Sequence, residues 1–450
     1  MMGFLVHFNV VEANEFLASP YNVRADIFAE RVIRGPIVDR NGNVLAETRR
    51  REDGSFYRAY PFGAAFAHVV GFNSRIVGRS GLEAAENSSL LTSNVFFLDQ
   101  LMNEINGVPS QGNTLVTTLN ADLQMAAFNA LGGNRGAVIV MEASTGNILA
   151  LVSNPGFDPN EIDQAWEQLN VDGINSPLLN RATQGLYAPG STFKTVTTLA
   201  YMRQADVFAY SFDCPGFYQR EGVIIPCIGR FAHGMQDLRR AYANSCNSAY
   251  AQLGGIIDAL LFRETAEDLM FNQGLPTVMD TSISQFTVNE NSIMAERMAT
   301  GIGQGNTMVS PYHMNLITAA IANGGVLMEP YLVYAVENAA GTVVRRNLPN
   351  SYVTLMSTAE AAVLRDYMVA VVTEGTGMDL GWQNFTVAGK TGTAEFGRED
   401  EGRVHSWFTG FTNVNNPDLV ITVVVEGVDA GSGIRAANLA LQILQVYYNS

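Results

Sequence analysis

Only two lysines occur in this 450-residue chain, Lys194 and Lys390; the other 25 of its 27 basic residues are arginines. Each lysine sits in a short motif with hydroxyl side chains. Ser191-Thr-Phe-Lys194 is followed 54 residues on by Ser245-Cys246-Asn247, and a further 145 residues on by Lys390-Thr391-Gly392-Thr393. If the lysines were kept for one piece of chemistry, the fold must bring three widely separated segments to one place. That chemistry is one an arginine cannot perform. A guanidinium stays protonated, whereas a buried amine can lose its proton and act as a base.

Composition narrows the classes. A content of 47% hydrophobic residues over this length supports one large core and a second, smaller domain. The net charge of -16 argues against nucleic acid as a partner, because backbone binding needs a basic stripe. No uninterrupted apolar stretch reaches the roughly 20 residues of a membrane span. Met1 to Val11 reads as an apolar remnant of a trimmed anchor, since it lacks the basic start and cleavage site of a signal peptide. Three cysteines, Cys214, Cys227 and Cys246, are too few for a disulfide scaffold.

Residues 1–132 are rich in turn signals and read as an irregular, β-containing module. Asn41-Gly42, between Ile37-Val38 and Val44-Leu45, predicts a tight hairpin. Asn120 to Leu131 reads as a helix with an asparagine cap. Residues 133–450 form the second domain. Two apolar runs, Gly136 to Met141 and Ile148 to Val152, predict a hairpin in a buried sheet. A polar, loop-like stretch from Asn154 to Thr183 precedes helical patterns from Ser191 to Ala205 and from Ala241 to Leu260. Phe385 to Ala394, His405 to Thr412 and Leu419 to Val425 read as successive strands, and Ile434 to Tyr448 as a closing helix. The order implies an α/β sandwich whose first and last strands share one sheet, with a β-rich module ahead of it.

Each motif has a bland reading: a capping serine with a solvated lysine, a helix cap, a lysine guarding a sheet edge. The functional readings are more connected. A serine and a lysine three apart at a helix start share one face, and the helix N-terminus favours an alkoxide. A Ser-x-Asn loop can relay a proton and hold a carbonyl. A strand bearing Lys390, Thr391 and Thr393 offers donors to a carboxylate, with Gly392 leaving room for a close approach. Its edge can also pair with an extended peptide. Ser-x-x-Lys, Ser-x-Asn and Lys-Thr-Gly in this order form the signature of serine enzymes that react with β-lactams.

The chain resembles the class B, monofunctional penicillin-binding proteins, the D,D-transpeptidases that cross-link peptidoglycan. Arg34-Gly-Pro-Ile-Val-Asp-Arg-Asn-Gly-Asn-Val-Leu-Ala46 and Gly78-Arg-Ser-Gly-Leu-Glu83 are similar to that family's N-terminal pedestal. Gly303-Gln-Gly305, Ser310-Pro311 and His405-Ser-Trp-Phe-Thr-Gly410 are similar to its secondary landmarks. The resemblance implies Ser191 as nucleophile, Lys194 as general base, Ser245 as proton relay and Asn247 as a peptide contact. Lys390, Thr391, Gly392 and Thr393 would bind the terminal carboxylate, and the N–H groups of Ser191 and Thr393 would form an oxyanion hole. It further implies stem peptides ending in D-Ala-D-Ala as substrate, trapping by β-lactams, an N-terminal anchor holding the enzyme on the extracytoplasmic face of the cell membrane, and a membrane glycosyltransferase as partner. Two other classes share the motifs: hydrolases (D,D-carboxypeptidases and β-lactamases) and non-catalytic β-lactam sensors. A pedestal of some 130 residues speaks against both.

The chemistry itself calls for no cofactor. Asp213, Cys214, Cys227 and His233, however, lie within 21 residues, and two thiolates with an imidazole form a candidate structural zinc set, Asp213 or a water being the fourth ligand. A Cys214–Cys227 disulfide and unrelated free thiols are the alternatives. Cys246 reads as a small buried filler.

Overall fold

The computed structural model describes residues 32–93, 110–396 and 402–449; the apolar start at Met1 to Val11 lies outside them. The chain divides into two compact units. One takes the chain up to Gln124 together with Pro155–Leu178 and Tyr331–Leu348; the other comprises Met125–Asn154, Leu179–Pro330 and Pro349–Ser450. A single boundary at 132 therefore misses two returns of the chain to the first unit. One of them lies in the stretch read as loop. It carries a helix, Ile162–Val171, of which only Ile162 is buried, so little apolar periodicity marks it in the sequence.

The second unit is built on a five-stranded antiparallel sheet. Its order is Ile148–Asn154, Gly136–Glu142, Leu419–Asp429, Arg403–Thr412, Val387–Phe396. The first hairpin and the last three strands thus share one sheet, as the sequence predicts, with Val423 opposite Val138 at the join. Gly136 to Met141 is buried throughout because both sheet faces are covered, which is why this strand reads as a continuous apolar run. Helix Pro311–Ala322, buried along its whole length and capped by Ser310, bonds Thr409 through Thr318. Helix Ala436–Asn449 begins where the Ala436 N–H meets Ser406. Residues three apart in a strand point to opposite faces, so the two helices cover opposite sides.

Two helical expectations are refined. The first helix opens as a tight turn, Gly190–Phe193, before the α-helix Lys194–Gln204. The pattern from Ala241 to Leu260 is three helices, Leu238–Ala243, Asn247–Ile256 and Ala259–Asp268, broken first around Ser245.

In the first unit a six-stranded sheet runs Val343–Arg346, Val333–Glu337, Thr114–Thr117, Ile37–Val38, Val44–Arg50, Phe56–Ala59. The Asn41-Gly42 hairpin forms as expected. The Asp39 carboxylate accepts from the N–H groups of Asn41 and Asn43 at 2.8 Å each, and Gly42 takes φ +88°. Helix Ala121–Leu131 follows, with Asn120 Oδ1 accepting from the Leu123 N–H.

The two pedestal-like stretches meet as an ion cluster. Arg34 Nε donates to Glu83 at 2.5 Å and Arg58 Nε to its other oxygen at 2.6 Å, with the three side chains at 7%, 5% and 0% exposure. Burial alone would push the Glu83 carboxyl up; the two guanidiniums outweigh it and hold it below its usual range. Removing one partner of a buried ion pair leaves an uncompensated charge. Glu83→Ala is therefore expected to cost about 3–5 kcal/mol in urea unfolding of the first unit's signal, and a loss below about 1 kcal/mol would contradict this.

Candidate active site

The Ser191 turn is held from three sides. The Gly190 N–H donates to Gly303 O at 2.8 Å. Gly190 has φ +53°, and a Cβ on it would lie 2.5 Å from Thr393 O; a Cβ on Gly303 would lie 1.9 Å from Gly190 O. Neither position tolerates a side chain, so the turn packs directly against the strand carrying Lys390. Trp407 Nε1 donates to Ala188 O at 3.1 Å and Thr192 Oγ1 to Pro189 O at 2.8 Å. The landmarks at Gly303 and Trp407 thus owe their place to holding this turn. Ser191 itself is 9% exposed.

Ser245 lies in the break between two helices, at φ +54°. A non-glycine residue in the left-handed region is strained, and such strain persists only where the surroundings enforce it. Here the Ser245 and Cys246 N–H groups bond back to Tyr242 O and Ala241 O, at 3.0 and 2.9 Å. The Cys246 sulfur accepts from the Ala249 N–H and caps the next helix.

Both lysines converge on this loop. Lys194 Nζ donates to Ser245 O at 2.7 Å, Ser245 Oγ at 3.1 Å and Asn247 Oδ1 at 2.8 Å. Lys390 Nζ donates to the same Ser245 Oγ at 3.0 Å and to Thr391 O at 3.0 Å. Each is 0% exposed. Burial pushes the Lys194 amine down to about 7. Burial, and then the charge of Lys194, pull Lys390 well below the usual range of an amine. Lys390 is thus buried, which tells against the bland reading of a lysine guarding a sheet edge. Its strand is the last of the sheet, yet the Ser191 turn and helix Thr358–Glu374 pack on it.

Two aromatic residues escape the sequence reading. The Tyr250 ring lies 5.4 Å from Lys194 Nζ and the Tyr242 ring 5.6 Å from Lys390 Nζ. Their hydroxyls bond Thr198 and Thr195 on the nucleophile's helix. No motif marks them, since buried tyrosines at helical spacing look like core.

The structure thus brings Ser191, Lys194, Ser245, Asn247, Lys390 and Thr393 to one place, with Thr391 half-buried beside them and Thr393 exposed. Gly392 is buried, and a Cβ there would touch Thr192 and Trp407 side chains at 3.0 Å.

The cysteines are also gathered, though not as expected. Cys214, Cys227, Cys246 and His233 place their ligand atoms within 4.8 Å of one another. Asp213 stays outside the group. It is exposed on the strand Phe212–Cys214, where neighbouring side chains point to opposite faces. Cys246, read from sequence as a filler, takes the fourth place because the Ser245 break turns it inward. All three cysteines are free, so Cys214 and Cys227 do not form a disulfide here.

Known proteins are similar to this chain in sequence and in fold. The family described as the penicillin-binding protein transpeptidase domain matches residues 136–445, and the penicillin-binding protein A dimerisation domain matches residues 34–115. The peptidoglycan D,D-transpeptidase PbpA of Mycolicibacterium smegmatis is 32% identical over 460 residues, covering 96% of this chain and 91% of that protein. The peptidoglycan D,D-transpeptidase MrdA of Acinetobacter baumannii is 28% identical over 444 residues, covering 87% and 66%. The structure of penicillin-binding protein A from M. tuberculosis as a penicillin G acyl-enzyme complex superposes with a TM-score of 0.83 at 30% identity, covering 92% of this chain and 99% of that one. With the three motifs gathered around one serine, the chain belongs to the penicillin-binding protein transpeptidase family.

Proposed function

We propose that this protein cross-links peptidoglycan as a serine D,D-transpeptidase, and that β-lactams inhibit it by acylating Ser191. The observation that carries the mechanism is the double acceptance at Ser245 Oγ. A hydroxyl has two acceptor positions, and the two amines fill both. Its proton is then free for a third partner, the part a leaving-group nitrogen would take.

Ser191 Oγ attacks the carbonyl of the penultimate D-Ala while Lys194, which as a neutral amine gives up one of its three donated bonds and so frees a lone pair, takes its proton. The oxyanion faces the N–H groups of Ser191 and Thr393, on backbones that Gly190 allows to approach closely. Lys194 passes a proton to Ser245, 3.1 Å away, and Ser245 gives its own to the departing amine of the terminal D-Ala. Asn247 holds the peptide, and the Lys390, Thr391 and Thr393 group binds the terminal carboxylate. The amine of a neighbouring stem peptide then attacks the ester and releases Ser191. Peptidoglycan lies outside the cytoplasmic membrane, so this reading puts the enzyme on the extracytoplasmic face, with an N-terminal anchor and a membrane glycosyltransferase as partner. Among the described residues no helix is long and apolar enough to cross a membrane.

The same reading includes a structural zinc. Four ligands at about 2.3 Å (sulfur) and 2.0 Å (nitrogen) around a tetrahedral ion stand roughly 3.5–3.8 Å apart. The sulfur pairs here are separated by 3.7, 3.7 and 3.5 Å, and Cys214 Sγ lies 3.5 Å from His233 Nδ1. Cys214, Cys227, Cys246 and His233 would hold the ion, which would supply a crosslink and no chemistry. Because Cys246 lies between Ser245 and Asn247, that crosslink would brace the second motif.

Three measurements test these statements. A fluorescent penicillin should label the protein persistently and Ser191→Ala not at all, a loss of at least about 10³-fold; rapid turnover of penicillin would instead mark a hydrolase. The acylation rate should rise about tenfold per pH unit up to about 7 and then level, since the Lys194 amine must be neutral to accept a proton. A flat profile between pH 5 and 8 would exclude Lys194 as the base. Protein purified without added zinc should contain about one ion per chain, and Cys246→Ala should lose it. Metal-free wild-type protein with unchanged thermal stability would refute the site.

A further inference from the structure

The Lys-Thr-Gly strand has a neighbour that none of the three motifs contains. Helix Thr358–Glu374 ends at Gly375, and the turn that follows it touches the strand. In that turn Thr376 Oγ1 lies 2.6 Å from Thr391 Oγ1. The Thr376 N–H also donates to Ala243 O at 3.1 Å. A Cβ on Gly375 would come within 2.3 Å of that same carbonyl, so the turn is seated directly on the segment entering Ser245. Thr376 therefore ties the third motif to the second, through its hydroxyl on one side and its backbone on the other.

Resting on the carboxylate role of Thr391 set out above, we infer that Thr376 is a positioning residue for the substrate carboxylate. Each hydroxyl of the pair has one proton and two acceptor positions. A bond 2.6 Å long uses one of the two protons. If Thr376 donates, the Thr391 proton is aimed at the ligand with its oxygen already polarised. If Thr391 donates, the free proton is that of Thr376, itself exposed. In either case the pair presents a single O–H to an anion. Hydrogen bonds to a charged acceptor are about twice as strong as neutral ones, and a held donor loses less freedom on binding. Lys390 Nζ bonds Thr391 O, so this threonine is fixed at its backbone by the amine and at its side chain by Thr376.

The test compares acylation by benzylpenicillin, whose carboxylate is free, with acylation by its methyl ester. Wild-type protein should react faster with the acid. Thr376→Val, which keeps the shape and removes the hydroxyl, should slow the acid about tenfold, in the binding step rather than in the acylation step. The ester should react as before, and Thr376→Ser should restore the acid's advantage. Thr376→Ala gives the same comparison should the valine variant fold poorly. Equal slowing of acid and ester, or no slowing of either, would overturn the inference, because a merely structural role affects both ligands alike. Wild-type protein that reacts but does not distinguish acid from ester would remove the carboxylate reading of the strand, and this inference with it. Absence of acylation at Ser191 would instead strike the transpeptidase reading itself.

Discussion

Two buried amines share one hydroxyl, and the rest of the second unit is arranged to make that tolerable. Lys194 and Lys390 both donate to Ser245 Oγ, and neither is exposed to water. Two full positive charges so close in a low-dielectric site repel strongly and forgo their hydration. A proton shed by one of them relieves both costs, which is why each amine titrates below its ordinary range. Guanidiniums could not respond in this way. The faces of Tyr250 and Tyr242 partly replace the lost water.

That arrangement depends on close backbone support. Gly190 and Gly303 let three backbone segments close on the nucleophile turn, and Trp407 pins its approach. The strained Ser245 is held by backbone bonds to its own helix and by the cluster of sulfur atoms at its neighbour Cys246. Proton donors and acceptors can then be poised before substrate arrives, so that little reorganisation remains for the reacting state. The same logic operates on a simpler scale in the first unit. Two guanidiniums enclosing Glu83 fix the meeting point of stretches that begin at Arg34 and end at Glu83.

Much of this was legible in the chain itself, for reasons that can be named. The three motifs, the Asn41-Gly42 hairpin, the Asn120 cap and the apolar runs of the sheet are local features. Each depends on residue chemistry within a few positions, and each appears in the structure where expected. The retention of two lysines among 27 basic residues pointed to a common site because lysine alone combines a positive charge with a removable proton. Signals failed where periodicity was weak, as in helix Ile162–Val171, or where an element returns to a distant unit, as Tyr331–Leu348 does.

What the sequence determined, then, is the inventory: a nucleophile, two amines, a relay hydroxyl, three thiols and an imidazole, in a sheet-and-helix order that could gather them. Only the tertiary structure decided the partners. Cys246 rather than Asp213 completes the cluster, because adjacent residues on a strand face opposite ways while a broken helix can turn one residue inward. Lys390 is buried rather than guarding an edge, because the Ser191 turn and the Ser245 loop, both from far earlier in the chain, close on it together with the helix just ahead of its strand. Spacing along a chain limits which groups can meet; burial and direction, which arise only when distant segments pack, determine which of them share a proton.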